Sequence, residues 1–210
     1  MGGLSAADVM ARVRAVYQGA CAYRDRGRVV VQPGAGDILA EGVFRTAFVR
    51  SKGLRFEFVD VRNRKTCGIK TAGAVVCRSY GVAHEDRLAD AIARMTGITL
   101  GTAQTIPRLL LPTDVDGRAL WDMEAPVLDG SGAMEEYDCF VLRSGGRIAF
   151  VSRVNYVLRK VVRQVVAPKF SLDGGQPVLG EEKADKSVRQ ITTYDAEILE
   201  HEPEDSFLMW

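Results

Sequence analysis

The residues whose types suggest chemistry are His84 with Glu85, Ser131 between Gly130 and Gly132, and the cysteines Cys21, Cys67, Cys77 and Cys139. His84-Glu85 begins the zinc-hydrolase pattern His-Glu-x-x-His, but the second histidine is missing. Gly130-Ser131-Gly132 lacks the spacing of a nucleophile elbow and reads as a polar turn. No glycine-rich phosphate loop is present. The cysteines form no Cys-x-x-Cys pair and the histidines lie far apart, so no metal site is assigned. Cys67 and Cys77 flank the turn at Thr71-Ala72-Gly73. They are expected to face each other across a hairpin, either as a disulfide or as small apolar thiols. No catalytic residue and no cofactor follows from these patterns; an unrecognised hydrolase would need a nucleophile such as Cys67 or Cys77.

Composition narrows the field further. The 28 basic and 27 acidic side chains nearly cancel, leaving a net charge of +1. That balance gives no general attraction for a phosphate backbone, so no nucleic-acid partner is expected. A chain of 210 residues is long enough to bury roughly 70% of its unfolded surface without a metal or disulfide. No run of about 18 apolar residues exists, so no transmembrane helix is expected.

Positioning elements follow from periodicity. Ser5-Ala6-Ala7-Asp8 reads as a capping box. It opens a helix whose stripe is Val9, Val13, Val16, Tyr17 and Ala20, fading near residues 24–27. Residues 28–31 read as a strand ended by Pro33-Gly34-Ala35-Gly36-Asp37. Phe44, Thr46 and Phe48 share one side of the next strand, and Leu54, Phe56 and Phe58 one side of another. This period of two predicts an antiparallel sheet with one apolar face. Acids at Glu85 and Asp86 suit a helix start, and Leu88, Ala91, Ile92 and Met95 give its stripe, with Gly97 as its stop. Residues 106–111, including Leu109 and Leu110, read as one helical turn beginning near Pro107. Ser144-Gly145-Gly146 predicts a hairpin between strands at 137–143 and 147–154. Strands follow at 156–165 and 188–194, separated by a long Gly/Pro-rich loop with a short strand at 177–179. The acidic stretch 200–205 precedes an apolar end, Phe207-Leu208-Met209-Trp210, expected to dock or meet a partner.

This order resembles the LolA/LolB-like lipoprotein-carrier superfamily. The likeness rests on the amphipathic first helix, then Phe48-Val49-Arg50-Ser51-Lys52-Gly53-Leu54-Arg55-Phe56-Glu57-Phe58 and the turn around Ala72-Gly73. The helical insert from Arg87 to Leu111 and strands such as Tyr156-Val157-Leu158-Arg159-Lys160-Val161 complete it. It spans residues 5–208, taken as a single half-barrel domain. The resemblance implies a mainly antiparallel β fold: a strongly curved, incomplete barrel with an N-terminal helix and a helical lid inserted mid-chain. It implies a cavity that takes acyl chains, and a strand-end arginine that helps hold the lid shut. Arg50 matches that arginine by position, although Ser51 stands where the family commonly has proline.

The expected function is a non-enzymatic envelope protein that binds or carries a hydrophobic ligand, a lipid or an acylated protein. Its expected ligand-binding residues are Phe44, Phe48, Arg50, Phe56, Phe58, Leu88, Ile92, Met95, Leu109 and Leu110. The expected location is periplasmic or outer-membrane-anchored, which requires a leader or lipobox upstream of Met1. The competing expectation is a protein-binding sensor or scaffold of the envelope with a filled interior.

Overall fold

The computed structural model describes residues 4–33, 37–61, 65–72, 74–79, 82–85, 87–115, 123–134, 137–166, 170–173, 176–179, 187–201 and 203. Helix α1 (Ala6–Gly19) starts as expected. The Ser5 hydroxyl accepts from the Asp8 amide at 3.2 Å, while the Ser5 amide donates to the Asp8 carboxylate at 2.9 Å. Six strands follow: β1 (Ala22–Pro33), β2 (Ala40–Val49), β3 (Gly53–Asp60), β4 (Lys65–Ala72), β5 (Ala74–Ser79) and β6 (Val82–Glu85). Two helices, α2 (Leu88–Ile98) and α3 (Thr102–Leu110), interrupt the strands. The chain then forms β7 (Val127–Met134), β8 (Tyr137–Ser144), β9 (Arg147–Ser152) and β10 (Leu158–Val166). A separate hairpin, β11 (Phe170–Asp173) with β12 (Gln176–Leu179), precedes the long β13 (Ser187–Leu199).

Eleven strands make one sheet in the order β6-β5-β4-β3-β2-β1-β13-β10-β9-β8-β7, and the end strands β6 and β7 do not pair with each other. Neighbours run antiparallel throughout. The result is an incomplete, curved barrel with three helices, the fold class expected from the sequence. Its concave face carries Tyr23, Phe44, Phe48, Leu54, Phe56, Phe58, Ile69, Val161 and Tyr194 in one core with side chains from all three helices.

Glycine lets the aromatic rings lie flat against the strands. A Cβ on Gly27 would come within 2.0 Å of the Phe44 ring, and one on Gly42 within 2.1 Å of the Phe58 ring. Each ring therefore covers bare backbone of the neighbouring strand, and Phe44 meets Tyr194 edge-on across Gly27 at 5.5 Å. The β8–β9 turn also needs glycine: Gly145 and Gly146 have φ of 44° and 76°, the signs of a type I′ hairpin.

Several elements differ from the sequence reading. The first helix ends at Gly19, and residues 22–27 already belong to β1, because Arg24 and Arg26 alternate outward from the buried row of Tyr23 and Asp25. His84 and Glu85 end strand β6 rather than opening a helix, and Arg87 caps α2 without a side-chain bond. Gly97 lies inside α2, and Gly101, at φ 81°, precedes α3. The latter runs nine residues with Pro107 in its interior, not one turn beginning at the proline. Gly130-Ser131-Gly132 lies in strand β7 rather than in a turn; the register shifts between Leu128 and Ser131 and Gly130 takes a φ of 79°, so its turn-like composition serves a bulge. The last strand continues five residues past Tyr194, to Leu199. The apolar end 207–210 lies outside the described residues.

Candidate functional site

Helices α2 and α3 lie over the concave face, α2 against β4 and β5, and α3 against α1. Of the residues expected to bind ligand, Phe44, Phe48, Phe56, Phe58, Ile92, Met95, Leu109 and Leu110 are all buried in the shared core, and Leu88 packs half-buried at its margin. The structure therefore brings the aromatic wall and the helical stripe together. In this state the helices themselves occupy the hollow.

Four hydroxyls of the helix pair turn inward on its own backbone. The hydroxyls of Thr96, Thr99, Thr102 and Thr105 donate to the carbonyls of Ile92, Met95, Thr99 and Gly101 at 2.7–3.2 Å. These residues are buried or half-buried, and Thr105 also meets the Tyr194 side chain of β13. A tie to the sheet comes from Gln190 on β13, whose amide nitrogen donates to the Leu100 carbonyl at 2.6 Å. Leu100 has a φ of 55° and Gly101 of 81°, so the connection between the helices turns through left-handed backbone.

Arg50 lies elsewhere. Its guanidinium donates to the carbonyls of Ala20 at 3.0 Å and Tyr17 at 3.3 Å, and stands 5.3 Å from the Phe48 ring. It thus binds the open carbonyl end of α1, where a cation is favoured, and fixes that helix to the end of β2. The described bonds of Arg50 reach α1 rather than the α2–α3 pair.

A buried polar cluster on the concave floor escaped the sequence reading. Asp25 on β1 is 3% exposed; the Tyr23 hydroxyl donates to it at 2.7 Å and the Thr46 amide at 2.8 Å. Burial pushes its carboxyl up to about 7, against the lowering effect of those two donors. Thr46, whose side chain also interacts with it, and Tyr194, two positions from its β13 partner Ala196, are its buried polar neighbours. Asp25 sits in the run Arg24-Asp25-Arg26, which by composition alone looks like solvated surface.

Burial of Cys67 and Cys139 works against either as a nucleophile. None of the four cysteines forms a disulfide, and Cys67 and Cys77 sit diagonally, Cys67 opposite Ser79 and Cys77 opposite Ile69. Burial pushes the Cys67 thiol up to about 12 and raises that of Cys139, the wrong direction for a reactive thiolate. No group of three or more His, Cys, Asp or Glu side chains able to hold a metal gathers among the described residues. On the convex face, a shallow cleft of about 220 Å³ is lined by Arg28, Val30, Gln32, Ile38, Ile191 and Thr193, none of them expected from the sequence.

No protein-family model matches the chain, and no curated protein matches it either. Solved structures do. A LolA superfamily protein from Nitrosomonas europaea is similar over 98% of both chains, with 14% identity and a TM-score of 0.34. A DUF1329 family protein from Desulfovibrio piger is similar over 96% of this chain and 94% of its own, with 10% identity and a TM-score of 0.36. An outer membrane lipoprotein-sorting protein domain from Vibrio parahaemolyticus is similar over 95% and 94%, with 8% identity and a TM-score of 0.34. The first and third belong to the kind of protein the sequence resembles, and likenesses this distant leave function to the geometry of this chain.

Proposed function

We propose that residues 5–208 form a single envelope domain, periplasmic or outer-membrane-anchored, that holds a hydrophobic ligand without catalysing a reaction. The ligand is a lipid or lipoprotein acyl chain, and it takes the place that α2 and α3 now fill. One observation carries this reading: the helix pair seals an apolar concave face while its buried threonines bond within the pair. Such a plug leaves the sheet by giving up apolar contact, which an incoming chain restores, and few directional bonds. Each acyl CH₂ buried in its place contributes about 0.8 kcal/mol, so a long chain offsets the exposure of Ile92, Met95, Leu109 and Leu110. In this reading Phe44, Phe48, Phe56, Phe58 and Leu88 wall the ligand, and Arg50 holds α1 as the fixed end of the hollow.

Protein purified under native conditions and extracted with organic solvent is expected to release lipid detectable by mass spectrometry. Delipidated protein is expected to bind a fluorescent fatty acid. The absence of both released lipid and fatty-acid binding would sink the carrier reading.

The filled interior favours a second reading, a protein-binding module that uses an edge of the sheet. Strand β7 is such an edge, with Val127 65% exposed beside its bulge. Under that reading a charge at Val127 abolishes partner capture and leaves fatty-acid binding absent before and after.

A further inference from the structure

Two arginines face each other across β9 and β10, Arg147 directly opposite Arg163. They lie on the concave side, in register with the buried residues Ala149 and Val161 two positions further along each strand. Following the pairing sideways gives one polar row over four strands: Gln190, Arg163, Arg147 and Ser144. The adjacent row, Thr192, Val161, Ala149, Leu142 and Leu128, is almost wholly apolar. The lining of the hollow thus passes abruptly from hydrocarbon to a pair of positive charges.

Like charges directly opposite one another destabilise a sheet unless something compensates them. Among the described residues nothing does. Neither arginine has an ion pair with a carboxylate there. The Arg147 Nε is buried without a hydrogen-bond partner. The Arg163 Nε donates to the Gln190 side-chain oxygen at 2.8 Å, a neutral acceptor. Burial and the facing Arg147 charge both disfavour the charged form of Arg163. Ser144 is occupied, donating to the Glu124 carbonyl.

We propose that Arg147 and Arg163 form a binding site for one phosphate-type oxyanion, which in the loaded protein is the headgroup of an amphiphile whose tail lies along the apolar row. Two guanidinium forks on adjacent strands match the several oxygens of a phosphate, and its charge removes their repulsion. Gln190 links the site to the helical plug, since it accepts from Arg163 and donates to the Leu100 carbonyl. Headgroup capture and release of the α2–α3 connection therefore meet at one side chain. The tail's position rests on the ligand reading above; the oxyanion site does not.

The experiment compares dodecyl phosphate, dodecanol and inorganic phosphate by calorimetry on the full chain, in wild type, R147Q and R163Q. Wild type is expected to bind dodecyl phosphate at least tenfold more tightly than dodecanol, and either substitution to abolish that preference while leaving dodecanol affinity unchanged. If the two amphiphiles bind equally, and R147Q alters neither, the oxyanion site is overturned while the hydrophobic hollow stands. If neither amphiphile binds but inorganic phosphate does, and R147Q abolishes it, the oxyanion site stands for free phosphate and the ligand reading falls. No binding in any arm overturns both. Thermal melting guards against a folding defect: phosphate should raise the midpoint of wild type and not of R147Q, whose own midpoint should not fall.

Discussion

Asp25 sets a pH dependence that can be written with its sign. The unfolded chain holds this carboxyl at its ordinary 3.8, while the folded protein holds it at about 7. Its contribution to stability is complete below pH 4, falls as the unfolded state ionises and the folded state does not, and is lost by about pH 7. A shift of that size corresponds to a loss on the order of 4 kcal/mol. In D25N the asparagine still accepts from the Thr46 amide but does not titrate. Urea midpoints of wild type and D25N should therefore separate between pH 4 and 7, with the mutant relatively more stable at the upper end. Arg50 makes the opposite kind of case, a residue whose type and strand-end position were legible but whose partners were not. R50A should cost about 1–2 kcal/mol in denaturant stability by uncapping α1. R50K should recover part of this, because one ammonium cannot reproduce a fork shared by two carbonyls. Sequence spacing does not reveal which helix end an arginine meets.

The curvature of the sheet depends on pairs that sequence shows only as separate letters. G27A places a methyl where the Phe44 ring lies, and G42A does the same to Phe58. Each should destabilise by about 1–3 kcal/mol through overpacking, and F44L should recover part of the G27A loss in a double-mutant cycle of thermal midpoints. The alternating Phe and Leu residues of β2 and β3 were legible because period two survives any pairing. The ring-over-glycine contacts were not, because they depend on register between strands. Strand β7 was hidden for a related reason: Gly130 and Gly132 carry turn composition, and only pairing to β8 shows a bulge. The α2 stripe was legible through Ile92 and Met95. The full length of α3 was not, because Thr102, Gln104 and Thr105 are buried against their polar character. Truncating the plug by L110A should lower stability by about 2–5 kcal/mol. It should also strengthen fatty-acid binding, since the helices then compete less well for the hollow; unchanged binding would speak against α3 as the ligand's competitor.

At the scale of the whole molecule, an open curved sheet roofed by a mid-chain helical insert was legible from the order of its elements. Its closure was not: no local pattern announces that β1 pairs with β13, from Ala22 opposite Leu199 to Pro33 opposite Val188. A plug that gives way to ligand should show itself in hydrogen exchange. Amides of residues 88–110 are expected to exchange faster than those of β1 and β13, and adding a saturating fatty acid should widen the gap. That central seam also orders events during synthesis. Strands β1 to β6 can zip as successive hairpins as they emerge, and so can β7 to β10, but neither half has its middle neighbour until β13 is made. The two half-sheets must wait with naked inner edges until β13 is delivered. Folding is therefore expected to be slow, with the waiting halves exposed to mispairing and dependent on whatever holds a nascent chain apart until β13 arrives.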